Sequence, residues 1–239
     1  MRTTERFRYF LDYFTLNFPQ PATELRYTNS YELIVAVVLS AQCTDKRVNQ
    51  VMPALIQQFP TPAHLAVAAA EDIFPFVRSV SYPNNKAKHL AGLGRMLTEE
   101  FGGEVPSSIE ELQRLPGVGR KTANVVVSVI YNQPAMAVDT HVFRVSHRLG
   151  LVPRTATTPL AVEKALVKHT PQELIPKAHH WLILHGRYVC VARQPKCAIC
   201  PFTSWCKYYA EQMANPKKLA ENSKSLAGFS LKTTSSSTT

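Results

Sequence analysis

The sequence predicts an all-α fold, and three observations carry that expectation. Apolar residues recur at helical spacing in one segment after another, no run of strict alternation is bounded by hairpin turns, and capping residues stand in front of the periodic runs. A first helix is expected over residues 6–17, then an apolar helix over 30–42 and an amphipathic one over 45–59. Thr61-Pro62 and Thr158-Pro159 each read as an N-cap followed by proline at the first helical position, the second opening a helix over 160–169. The stretch 85–101 runs into Gly102-Gly103, as a helix C-terminus does. Ser107 and Ser108 have Glu110 and Glu111 three residues on, a capping-box pattern for a helix reaching Leu115. Beyond a glycine-rich break, helices are expected over 121–131 and from near Asp139 to near Gly150.

Composition limits the function classes. The chain has 239 residues, 45% of them hydrophobic and 18% charged, enough to bury a core. Its longest unbroken apolar run, residues 33–39, is far short of the roughly 20 that a membrane-spanning helix needs, so an integral membrane protein is not expected. Charge enters the first residues, Met1-Arg2-Thr3-Thr4-Glu5-Arg6, and no small-residue site follows an apolar stretch. That is no secretory signal, so a reducing, cytoplasmic setting is expected. A formal charge of +10 favours polyanionic partners, because neutralising phosphates with counterion release drives nucleic-acid binding. Part of the surplus is in the tail, where Lys217, Lys218, Lys224 and Lys232 face only Glu221. From Met213 onward ten of 27 residues are Ser or Thr, too few apolar groups to offset ordering, and 213–239 is expected to be disordered.

Leu115-Pro116-Gly117-Val118-Gly119-Arg120-Lys121 joins two helices through a tight turn in which glycine can take positive φ and bring bare backbone close to a ligand. The free amides opening the second helix, its dipole, and the neighbouring Arg120 and Lys121 together suit a phosphate. A plain helix–helix turn fits the same residues, and Gly-x-Gly is weak evidence by itself.

With Thr122-Ala123 added, this segment resembles the helix-hairpin-helix of the endonuclease III family of base-excision DNA glycosylases. Leu39-Ser40-Ala41-Gln42, Val138-Asp139-Thr140-His141-Val142-Phe143-Arg144 and His179-His180-Trp181-Leu182-Ile183-Leu184-His185-Gly186-Arg187 are similar to that family in the same order. The likeness covers roughly residues 1–210. It implies a bifunctional enzyme that removes oxidised pyrimidines from duplex DNA and cuts the abasic strand by β-elimination, in a bacterial, nucleoid-associated setting and as a monomer. Two lobes are expected: a bundle over 23–134 with the hairpin, and a second built from 1–22 and 135–212, with damaged or abasic duplex DNA across the cleft.

Lys121 lies in a first helical turn, where the dipole and Arg120 both disfavour a cation. Beside a phosphate-binding turn a lysine is more often a charge clamp than a nucleophile; the resemblance assigns Lys121 the Schiff-base role. Asp139 precedes an apolar-periodic run and reads first as an N-cap. The resemblance adds a second role, assisting base departure and deprotonation. His141 has no partner the sequence identifies and reads as structural or phosphate-facing.

Five cysteines occur, and Cys190, Cys197, Cys200 and Cys206 crowd into 17 residues with spacing C-x6-C-x2-C-x5-C. Four thiolates at such intervals can wrap one metal centre, and spacing alone leaves structural zinc open. The resemblance implies a 4Fe-4S cluster with a structural, DNA-facing role, and places Arg193 and Lys196 on a loop that meets phosphate. Cys43 has no ligand spacing with the others and reads as a small buried residue.

A glycosylase acting on duplex DNA must flip the base out and fill the gap. Gln42 matches the family residue that enters the space. A second wedge in the family is commonly Gly-Leu-Tyr, whereas this chain has Ser81-Tyr82-Pro83, making Tyr82 the candidate. Related adenine-mismatch glycosylases insert a tyrosine, but their base-protonating glutamate would fall in 33–39, which is wholly apolar here. A non-catalytic DNA-binding module is the remaining rival, and the pairing of Lys121 with Asp139 argues against it.

Overall fold

A computed structural model describes residues 1–214, and among them every regular element is helical. Of the segment expected to be disordered, Met213 ends the last helix and Ala214 is its C-cap, while 215–239 lie outside the described residues. The twelve α-helices are α1 (Thr3–Asn17), α2 (Ser30–Ser40), α3 (Asp45–Gln58), α4 (Pro62–Val67), α5 (Ala70–Val77), α6 (Pro83–Phe101), α7 (Ile109–Leu112), α8 (Arg120–Ile130), α9 (Thr140–Leu149), α10 (Pro159–His169), α11 (Ile175–Tyr188) and α12 (Lys207–Met213).

Two hydrophobic clusters organise them. In the first, α2 is buried along its whole apolar run, Leu33 to Leu39. A helix that is apolar on every face needs neighbours on every face, and α3, α6 and α8 pack around it. Leu90, Leu93 and Leu97 of α6 and Val126 and Val127 of α8 fill the same cluster, which extends to Ala135. The second begins at Met136 and joins α9, α10 and α11 to the N-terminal α1. Phe7, Phe10 and Phe14 repeat on one face of α1. Phe14 stacks on Trp181 at 5.6 Å, and the Trp181 indole N–H donates to the Phe18 carbonyl, so α1 docks on α11.

Helix ends follow their caps. Asn29, Thr44, Ser108 and Thr158 accept from amides of the first turn. Thr61 also precedes its helix, but its hydroxyl pairs with His64 Nδ1 instead. Gly102 takes φ +60° and the Gly103 amide reaches the Leu97 carbonyl, closing α6. The helix expected to reach Leu115 is only Ile109–Leu112; beyond it the Arg114 and Leu115 amides bond three residues back, to Glu111 and Leu112, in tighter turns that lead to Pro116. α2 likewise stops at Ser40 rather than Gln42, which is left-handed at φ 54°. Helices α5, α11 and α12 lie in stretches where no helix was expected from pattern.

Candidate active site

α8 starts directly after the glycine turn, so Lys121 is its second residue and stands exposed at the mouth of the space between the two clusters. Asp139 is the N-cap of α9: its Oδ1 accepts from the amides of His141 and Val142, both at 2.8 Å. Oδ1 thus caps the helix, and Asp139 borders the pocket. Lys121 and Asp139 line the same pocket, together with Ser40, Gln42, Asp45, His180 and Arg187. Its walls therefore come from α2, α3, α8, α9 and α11.

Ion pairs and two buried imidazoles organise the pocket electrostatically. Arg187 reaches across to the carboxylates of Glu24 and Asp45, the latter at 2.5 Å, and Tyr188 also donates to Glu24. These residues tie the end of α11 to the first cluster. Burial is the largest effect on Glu24 and raises its pKa, but the hydrogen bonds from Tyr188 and Arg187 outweigh it and hold the carboxyl below the ordinary range. Burial depresses His179 to about 3, helped by His180 and Lys121, and His180 to about 4, helped by Arg187. Both imidazoles are therefore neutral at pH 7. The Nδ1 atom of His179 has no hydrogen-bond partner among the described residues.

The turn expected to hold phosphate differs from expectation in three respects. Gly117 has φ +81°, but Gly119 has φ −90°, so only the first needs glycine for its backbone angle. A Cβ at Gly117 would come within 2.9 Å of His89, whereas one at Gly119 would meet nothing within 4 Å. Val118 is buried in the first cluster and its amide donates to the Leu115 carbonyl, so neither side chain nor amide is presented outward. Arg120 is engaged by Glu163 of α10 through two hydrogen bonds, at 2.5 and 3.1 Å. Its charge is thereby offset rather than left to act on Lys121.

Gln42 and Tyr82 both stand exposed with left-handed backbone, φ 54° and 55°. For non-glycine residues that conformation costs on the order of 1 kcal/mol each, so surrounding contacts must hold it. The Ser81 hydroxyl donates to the Gln42 carbonyl at 2.6 Å, joining the two turns directly.

Cys190, Cys197, Cys200 and Cys206 line one small pocket beside His185 and Tyr208. Burial above all, with the neighbouring sulfurs, pushes the Cys200 thiol up to about 11. Among the described residues no three His, Cys, Asp or Glu side chains are placed to hold a single ion. Four thiols around one pocket are a donor set chemically suited to a metal centre. Arg144 and Arg148 of α9 fasten this loop: Arg144 donates to the Gly186 and Cys190 carbonyls, and Arg148 to those of Val191 and Ala192. Arg193 and Lys196 lie exposed on it. Cys43 is half-buried beside the first cluster, away from the other four.

Glu24, Asp45, Lys86 and Arg148 were not among the residues singled out from pattern, and Arg144 and Arg187 stood only within family-like strings, without a role. Each pairs with a group more than 20 residues away, a relation no local spacing contains.

Comparison with known proteins matches this architecture. Residues 35–172 match the model of the HhH-GPD superfamily of base excision DNA repair proteins. The chain is 45% identical over 196 residues to endonuclease III of Rickettsia prowazekii, covering 82% of this chain and 92% of that protein. It is 48% identical over 190 residues to endonuclease III of Bacillus subtilis, covering 80% and 86%. A solved structure of a trapped endonuclease III–DNA covalent intermediate superimposes with a TM-score of 0.84 at 45% identity, over 89% of this chain and all of that one. With that fold, that hairpin and relatives matched over nearly their full length, the chain belongs to the endonuclease III family of HhH-GPD base excision DNA repair proteins, which are DNA glycosylases and abasic-site lyases.

Proposed function

We propose that this protein binds duplex DNA carrying a damaged base, excises oxidised pyrimidines, and cuts the abasic strand by β-elimination through Lys121. The observation that carries the reading is the convergence of Lys121 and Asp139 on one pocket whose other walls are neutral or paired. The Lys121 amine attacks C1′ of the sugar as the bond from C1′ to the base breaks, and the base leaves with a proton. Asp139 stabilises positive charge developing on the sugar and moves the protons that ring opening and Schiff-base formation require. Loss of a C2′ proton from the Schiff base then expels the 3′ phosphate, and hydrolysis returns the amine.

Gly117, Gly119 and the first amides of α8 approach phosphate on one side of the pocket, with Arg193 and Lys196 on the other. Gln42 and Tyr82 fill the gap left by the flipped nucleotide. The first cluster (23–134) and the second (1–22 with 135–212) act as two lobes with DNA across their junction, and the protein works as a monomer. Cys190, Cys197, Cys200 and Cys206 would hold a 4Fe-4S cluster, which ties the loop bearing Arg193 and Lys196 into one rigid unit.

Borohydride trapping on duplex DNA with one abasic site tests the reading. Native protein is expected to give a covalent band on a denaturing gel, and Lys121→Ala none while still retarding the duplex. Loss of binding together with the band would overturn the nucleophile assignment.

A further inference from the structure

Lys86 is 4% exposed, and the charge chemistry above makes no use of it. It lies in the first turn of α6, and its ammonium donates to the carbonyls of Leu39 and Ala41, both at 2.7 Å, at the C-terminal end of α2. Those carbonyls have no helical partner of their own, and the negative end of the α2 dipole favours a cation there. Four residues before Lys86 stands Tyr82, the left-handed N-cap of α6; one residue beyond Ala41 stands left-handed Gln42. Ser81 closes the same seam from the other end by donating to the Gln42 carbonyl. Two exposed side chains on strained backbone are thus joined by a buried lysine at one end and a hydroxyl at the other.

We infer that Lys86 and Ser81 are positioning residues that lock the 41–42 and 81–82 turns together, so that Gln42 and Tyr82 enter the duplex as one rigid wedge. The inference rests on the proposed contact of those two side chains with DNA and adds how their placement is set. A lysine suits the position because its ammonium on a flexible stem can meet two carbonyls that face it from different points of an ending helix. The clip acts through Gln42 and Tyr82 and touches no reacting atom.

The test uses a duplex with 2-aminopurine opposite a tetrahydrofuran abasic analogue, whose fluorescence rises when the orphaned base is unstacked. Native protein is expected to raise the signal; Lys86→Met and Ser81→Ala are each expected to lose most of the rise at saturating protein. In excision of an oxidised pyrimidine, Lys86→Met should slow the native protein about tenfold, the size of a strong pairwise coupling, yet add little to Gln42→Ala/Tyr82→Ala. A full fluorescence rise in both single variants, or the same slowing in both backgrounds, would overturn the clip. Should Lys86→Met not fold, Ser81→Ala decides by the same two readouts. A fluorescence rise without a borohydride-trapped band would overturn the lyase reading and leave the clip standing; a trapped band without any rise would do the reverse.

Discussion

Asp139 caps α9 and is proposed to act in the chemistry, and substitution separates the two roles. Asparagine keeps a side-chain oxygen for the amides of His141 and Val142 but carries no charge; alanine loses both. Asp139→Ala is expected to cost about 1 kcal/mol of stability while Asp139→Asn stays within a few tenths, as thermal melts would show. Both should slow base excision by roughly 10²–10⁴, the usual worth of a positioned acid–base group. An Asp139→Asn variant with normal excision would reduce the residue to its capping role. That role was legible from the apolar run behind it. The place of Asp139 on the same pocket as Lys121 was not, because that depends on how separate helices pack.

At the scale of the element, the hairpin divides between backbone strain and ligand approach. Gly117 sits at φ +81° against His89, so Gly117→Ala should destabilise the fold by about 1–3 kcal/mol, measurable in a melt, before DNA is considered. Gly119 has ordinary φ and open space around it, so Gly119→Ala should melt normally and lose DNA affinity, read by titration of an abasic duplex. Equal affinity in a normally melting Gly119→Ala would remove this turn from the interface. The turn and the helix after it were readable from Pro116-Gly117-Val118-Gly119 because short-range sterics settle them. The inward direction of Val118 and the capture of Arg120 by Glu163 were not, since the partner in each contact lies on an element the turn does not contain.

For the whole molecule, the buried histidines give stability a pH dependence. His179 and His180 have folded pKa values of about 3 and about 4, below the ordinary 6.5, so the unfolded chain binds protons first as pH falls. The unfolding free energy should be fully developed above about pH 7 and decline as pH drops toward 5, where unfolded imidazoles are charged and folded ones are not. Melts across that range check the sign, and His180→Gln should flatten part of the slope. A melting temperature constant from pH 7 to 5 would mean that the two rings are solvated. The same burial keeps the pocket free of extra cations beside Lys121.

Composition and periodicity alone make this chain helical, basic and rich in capped elements, because helix formation and capping are decided within a few residues. The ordered motifs and the four-cysteine spacing carry the family likeness for the same reason: they are local strings. Tertiary structure decided the rest. It brought Lys121 and Asp139, on separate helices, to one pocket, and set Arg187 between Glu24 and Asp45. It also buried Lys86 where two helix ends meet. Such pairings join residues from under twenty to more than a hundred and fifty positions apart, and only the packing of two apolar clusters against each other fixes which distant groups meet.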